Sequence, residues 1–320
     1  MPSPKPAIAI AGGTGHLGKY ITTALLSPPF INNFSSIILL TRQETSHPHQ
    51  HPPPIPQIPN TTADTKLQVR NYTENNLPAA LKDIQILINA IGPSGHAFKE
   101  QLLRALPQTD IQVYFPSEFG VNHYVHDFAH LEWDAKKAHF NLARVLIPNV
   151  KICRVFCGLF MEDSVGPWFG FDTKAGRYES VGSSRVPVSF TGLIDVGRVV
   201  AALCGFDRKE IPDVVSVGGD TRAISDVARI MEEAGAGKID VREIELREYK
   251  ERVTGVLSSD PAAYLRFLMG EGKINHSFGG LGCDNELVNP GQRVWKWKSF
   301  VELARETGGR PWEDFAWSTK

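Results

Sequence analysis

Five apolar residues, Ala7-Ile8-Ala9-Ile10-Ala11, follow one another without a polar break, the pattern of a strand covered on both faces. A glycine-rich turn comes next, and Lys19–Leu26 then carries apolar residues at helical spacing. The alternation continues. Ser36–Leu40, Leu67–Arg70, Ile84–Asn89, Ile111–Phe115 and Val150–Val155 read as further strands, with Ala97–Leu106 and Trp133–Leu146 as helices among them. Strands separated by helices predict βαβ units, and hence an α/β fold with a doubly wound parallel sheet of the Rossmann type.

The second half is mixed. Val186–Thr191 predicts a strand, Asp195–Val200 opens a helix, Val214–Val217 predicts a strand and Ser225–Glu233 a helix with Ser225 as its N-cap. Ile239–Leu246 alternates like a strand, and a final helix is expected near Ser299–Glu306. The expected organisation is a dinucleotide-type domain over 1–157 and a smaller α+β domain over 158–320. Segments such as Val214–Val217 are expected to rejoin the first sheet, so that the two interleave. Residues 43–66 break the rhythm with a proline-rich stretch, including Pro52-Pro53-Pro54 and His47, His49 and His51, and read as a loop insertion.

Composition narrows the classes. The chain has 320 residues, 42% of them hydrophobic, enough for a full core. Its 34 basic and 35 acidic residues leave a net charge of -1, which gives no electrostatic case for nucleic acid or an anionic membrane. No spanning-length apolar run and no signal sequence is read, so a cytoplasmic location is expected. Cys153, Cys157, Cys204 and Cys283 read as reduced thiols. His123, His126, His130 and His139 cluster in sequence without a completing carboxylate or thiol, so no metal is expected.

The chemistry begins at Gly12-Gly13-Thr14-Gly15-His16-Leu17-Gly18. Glycines spaced three apart between a buried strand and a helix supply a tight turn, room for a pyrophosphate and close helix packing. The helix end adds backbone N–H groups and a positive dipole. Strand two ends Leu39-Leu40-Thr41-Arg42, with a guanidinium where NAD-binding folds carry an acid, so NADP(H) is the expected cofactor. Ala90-Ile91-Gly92, after strand four, joins the expected cofactor contacts.

After strand five stands Phe115-Pro116-Ser117-Glu118-Phe119-Gly120, followed by a lysine-bearing helix. With the glycine loop, with Gly158-Leu159-Phe160 and Asp195-Val196-Gly197, and with the closing Gly308-Gly309-Arg310-Pro311-Trp312, the chain resembles the isoflavone reductase-like and NmrA-like group of atypical short-chain dehydrogenases. The resemblance implies an NADPH-dependent reductase of an aromatic or conjugated small molecule, of the kind found in secondary metabolism. It implies cofactor contacts at Pro116, Ser117, Glu118 and Phe119, and a lysine general acid/base on the following helix. Lys136 and Lys137 both match. Lys136 shares a face with Phe140 and Ala143, whereas Lys137 shares one with Asn141 and Arg144, which favours Lys136. His123, Phe160, Met161, Trp168 and Phe169 are the expected substrate pocket, the aromatic segment reading as a lid or as core. Two alternatives stand beside the reductase: an NADP-binding sensor without catalysis, and a non-redox isomerase or dehydratase. The expected state is a monomer or homodimer.

Overall fold

The computed structural model describes residues 4–42, 66–258 and 260–316. Except for Lys66, the proline-rich insertion lies outside the described residues. The chain divides into two units, each made of separate stretches. The first comprises Met1–Phe119, Ala135–Val155 and Val196–Val215; the second comprises Gly120–Asp134, Phe156–Asp195 and Ser216–Lys320.

In the first unit, strand β1 (Ala7–Ala11) has every residue buried, which an all-apolar strand requires. It lies inside a six-stranded parallel sheet with β2 (Ser36–Arg42), β3 (Leu67–Tyr72), β4 (Ile86–Asn89), β5 (Val113–Phe115) and β6 (Lys151–Ile152). The order β3-β2-β1-β4-β5-β6 reverses direction beside β1, and that reversal opens a crevice at the carboxyl ends of the strands. Helix α1 (Gly18–Leu25) buries Gly18, Ile21, Thr22 and Leu25, a stripe at helical spacing. The Thr22 hydroxyl donates to the Gly13 carbonyl at 3.0 Å and ties the helix to the turn before it. Helix α2 (His96–Ala105) buries Leu102 and Leu103, and helix α3 (Leu131–Leu146) contributes Ala143 to the same core, with Leu87, Tyr114 and Ile147. Helix α4 (Leu193–Cys204) has Gly197 where a Cβ would stand 2.4 Å from the Tyr20 carbonyl oxygen, so glycine permits its approach to α1.

The second unit holds two three-stranded sheets. Arg177–Val181 is central in one, antiparallel to Phe171–Asp172 and parallel to Asp240–Ile244. Val188–Thr191 is central in the other, antiparallel to Asp220–Arg222 and parallel to Leu159–Phe160. Their core is aromatic and aliphatic: Phe190 meets Phe300 edge-on at 4.8 Å, and Tyr178, Phe267, Leu268 and Met269 are buried with them.

Several boundaries differ from the sequence reading, each for a physical reason. The apolar run Val150–Val155 is two strands, Lys151–Ile152 in the six-stranded sheet and Arg154–Phe156 paired with Val214–Ser216. Val214–Ser216 therefore does not enter the six-stranded sheet. Ser225 lies inside the helix Ile224–Met231; Ala223 is the N-cap, with no side-chain hydrogen bond. The alternation over Ile239–Leu246 ends as strand at Ile244, because the Glu245 carboxylate accepts from the Glu248 N–H at 2.7 Å and starts a new helix at Leu246. The closing helix, Phe300–Thr307, is capped by Ser299 in a reciprocal box with Glu302. Among the described residues no helix is long and apolar enough to cross a membrane.

Candidate active site

Strand register assembles the carboxyl edge of the six-stranded sheet. Ala11 faces Leu40 on one side and Asn89 on the other, and Ile88 faces Phe115. One or two residues further along each strand stand Gly12 and Gly13, Thr41 and Arg42, Ala90 and Ile91, and Pro116 and Ser117. Four segments far apart in sequence thus reach one level.

The three glycines do different work. Gly12 has φ +80°, and a Cβ there would lie 2.9 Å from the Ala90 carbonyl carbon, so the turn needs glycine twice over. A Cβ on Gly18 would stand 1.9 Å from the Gly12 carbonyl oxygen, so its absence seats α1 on the loop. Gly15 is exposed, has no left-handed φ, and a Cβ would meet only the Gly12 carbonyl oxygen at 3.1 Å. It is the glycine of the open side of the turn. Thr14 is half-buried, His16 exposed and Leu17 buried. Helix α1 has no side-chain cap and no acidic residue in its first turn, so its positive end is not neutralised there. Open glycine backbone and an uncapped helix end fit a pyrophosphate. Arg42, exposed at the tip of β2 two residues beyond the Leu40–Ala11 pair, suits a further phosphate.

Beside this edge the loop after β5 is anchored. Ser117 Oγ donates to the Ile91 carbonyl at 2.8 Å, which joins the segments after β4 and β5. Pro116, Glu118 and Phe119 are buried, and Ala90, Ile91 and Gly92 run along the rim with partial or full exposure. A cavity of about 10 Å³, room for one water-sized group, is lined by His96, Lys99, Pro116, Ser117, Glu118, Ala135, Lys136 and His139. Lys136 reaches this cavity and Lys137 is not among its lining residues. Ala143, on the Lys136 face of the helix, is fully buried, whereas Asn141 and Arg144 on the Lys137 face are exposed.

Behind the cavity runs a chain of hydrogen bonds, buried at its centre and part-buried at both ends. The Ile91 N–H donates to Asn89 Oδ1 at 3.2 Å, which orients the amide. Asn89 Nδ2 is then the donor to Tyr114 Oη at 3.0 Å. The phenol's own proton is left for His139 Nε2, 2.8 Å away. With the phenol as donor, His139 accepts at Nε2 and carries its own proton on Nδ1. Burial, and next the charge of Lys99, hold its pKa down to about 4, against smaller opposing effects of Glu118 and Glu100. Burial likewise pushes the Tyr114 phenol up, out of the range in which it ionises near neutrality.

The remaining predicted residues lie in the second unit. His123 is buried, tilted against Tyr124 at 4.7 Å and edge-on to Phe156 at 5.9 Å. Met161 and Phe169 belong to that unit's core. Phe160 and Trp168 keep partial exposure; the Trp168 indole donates to the Asp163 carbonyl at 3.1 Å and meets Trp312 and Phe315 edge-on. The four clustered histidines separate: His123, His126 and His130 pack among rings of the second unit, and His139 alone belongs to the hydrogen-bonded chain in the first. Among the described residues no group of three or more His, Cys, Asp or Glu side chains is placed to share a metal ion.

Asn89, His96, Lys99 and Tyr114 escaped the sequence reading. Signals existed for them: Asn89 is a lone amide closing the apolar run Ile86-Leu87-Ile88, and His96 and Lys99 stand three apart on a helix whose apolar stripe they adjoin.

A model of the NmrA-like family matches residues 4–268. Eugenol synthase 1 of Petunia hybrida is 27% identical over 119 residues, 37% of this chain and 37% of that protein; the match spans little more than a third of the relative's length. Among solved structures, an isoflavone reductase aligns with a TM-score of 0.73 at 16% identity, covering 95% of this chain and 99% of that one. AtPrR2, solved with NADP+ and (+)pinoresinol, aligns with a TM-score of 0.71 at 16% identity over 95% and 99%. The leucoanthocyanidin reductase–NADPH complex from Vitis vinifera aligns at 0.67 and 17% identity over 94% and 99%. At these identities the structural likeness fixes the fold.

Proposed function

The chain belongs to the NmrA-like family, and from that premise we propose that it is an NADP-dependent reductase of a small aromatic or conjugated substrate, with Lys136 as the residue that moves the proton. The cofactor reading is supported by the uncapped, glycine-lined end of α1, by Arg42 in place of an acid, and by relatives solved with NADPH or NADP+. When bound, the reduced nicotinamide supplies the hydride. The chain's own residues do the rest. Gly12, Thr14, Gly15, His16, Leu17 and Gly18 hold the pyrophosphate through backbone N–H groups. Arg42 takes the 2′-phosphate in a charge-assisted bond. The rims Ala90–Gly92 and Pro116–Phe119 border the reactive end, fixed to each other by Ser117 and Ile91.

One observation carries the catalytic reading: Lys136, and not its neighbour, lines the cavity beside Ser117, Glu118 and His139. An ammonium there donates a proton to the substrate atom that gains charge. In the second unit Phe160 and Trp168 keep partly exposed rings that suit an apolar ligand, whereas His123, Met161 and Phe169 are buried. The named relatives act on or bind aromatic compounds, which favours that substrate class here. The test is oxidation of NADPH, followed by its absorbance, against a panel of quinones, enones, aryl ketones and phenylpropanoid ethers. Turnover that Lys136→Ala abolishes supports the reading. An NADPH-binding protein whose turnover is the same with and without that lysine contradicts it.

A further inference from the structure

We propose that His139 is a positioning residue for the proton transfer, an imidazole locked neutral by Tyr114 and Asn89 so that Lys136 is the proton carrier on its helix face. The inference rests on the reading of Lys136 given above and adds to it the device that sets the lysine's charge environment. Lys136 and His139 are three residues apart on one helix, so their Cβ atoms are neighbours, and both line the same cavity. Helix α2 brings Lys99, Glu100 and His96 toward His139, and the loop after β5 brings Glu118; Tyr114 faces it from β5. A protonated imidazole here would add a cation to a cluster that already holds Lys99 and Lys136.

The hydrogen bonds prevent that by geometry. Asn89 is oriented by the Ile91 N–H and spends its donor on Tyr114 Oη, so the phenol proton goes to His139 Nε2. Protonating Nε2 would set two donors against each other beside the buried Tyr114 ring and leave the phenol proton without its acceptor. The chain therefore selects one tautomer and one charge state. The consequence for chemistry is specific: with His139 neutral, no imidazolium stands one helical turn from the Lys136 ammonium.

The experiment has two arms. In the whole protein labelled with 15N, the His139 ring is observed by NMR, assigned by its loss in His139→Gln. The expected result is the Nδ1–H tautomer at neutral pH, with titration near about 4. Tyr114→Phe is expected to release the lock, giving mixed tautomers. A charged ring or an Nε2–H tautomer at neutral pH in the wild type overturns the proposal. In the second arm the basic limb of the kcat profile is measured. His139→Lys, a fixed cation, is expected to move that limb down by about one pH unit, the size expected for a like charge one helical turn away. His139→Gln, which still accepts from Tyr114, is expected to hold the limb in place. A limb that His139→Lys does not move also overturns the proposal. Lys136→Ala separates the two readings: turnover that survives it refutes the lysine mechanism, while the tautomer measurement still decides the state of His139.

Discussion

Two regions share the carboxyl edge of one sheet and are built by opposite means. The phosphate edge is made almost wholly of backbone: glycines whose missing Cβ atoms leave room, and a helix end without a cap. The cavity beside it is made of side chains, with two lysines, two histidines, a serine and a glutamate drawn from α2, α3 and the loop after β5. A backbone site fails by steric exclusion, all at once. A side-chain site fails by degrees, through charge and proton position. The two regions should therefore answer substitution differently.

The sharpest break is Gly18→Val. Its Cβ would stand 1.9 Å from the Gly12 carbonyl oxygen, so helix or loop must move. A loss of about 3 kcal/mol or more, the upper end of overpacking costs, is expected in denaturant unfolding. Gly15→Val is its foil: with contact only at 3.1 Å, it should fold with little change in Tm and lose NADPH binding by fluorescence titration. Equal stability losses in the two would erase the distinction between packing glycine and ligand glycine.

Next in size is Lys136→Ala, expected to lower kcat by roughly 10²–10⁴-fold with little change in NADPH affinity. Lys137→Ala should change kcat by less than about twofold, since a surface substitution away from the cavity is nearly neutral. Reversed phenotypes would move the mechanism to the neighbouring residue. Arg42→Ala should cost NADPH roughly 10–100-fold in affinity, the worth of one charge-assisted bond, and leave NADH unaffected. Titrating both cofactors against both proteins checks it; an equal loss for NADH would show that Arg42 does not read the extra phosphate.

The smallest effect is acid sensitivity. His139 in the first unit, and His130 and His276 in the second, are all depressed chiefly by burial. The unfolded chain takes up protons at these rings from about pH 6.5, whereas the folded His139 waits until about 4. Across that window the unfolded state binds more protons, so stability falls as pH falls. For His139 a loss on the order of 1–3 kcal/mol is expected between pH 6.5 and 4, and His130 and His276 add to it in the same direction. Tyr114→Phe should weaken the part due to His139 and leave the second unit's contribution as it is.

The same contrast explains what the sequence made legible. Glycine spacing and apolar runs are local signals, so β1, the glycine turn and the succession of strands and helices were readable from Ala7 to Phe115. The FPSEFG string and the lysine helix were readable as a resemblance. The Asn89–Tyr114–His139 chain was not, because its members lie on two strands and a helix and meet only through parallel register. Nor does an apolar run say when a strand changes partner, which is why Val150–Val155 looked like one element. The left-handed φ belongs to Gly12 and not Gly15, a fact set by the Ala90 carbonyl opposite it.

The order of the segments along the chain has its own consequence. The six-stranded sheet is completed by Lys151–Ile152, yet Gly120–Asp134, synthesised just before, belongs to the other unit. No single cut yields either unit whole. A fragment ending near residue 157 would carry Val121 and Trp133 without the core that buries them, and such orphaned apolar side chains drive association. The nascent chain faces the same problem: the first unit is left waiting on its own last strand while a piece of its partner is already exposed. The protein should accordingly gain its structure late in synthesis and as a whole, and tolerate new termini far better in exposed turns than at the junction of the two halves.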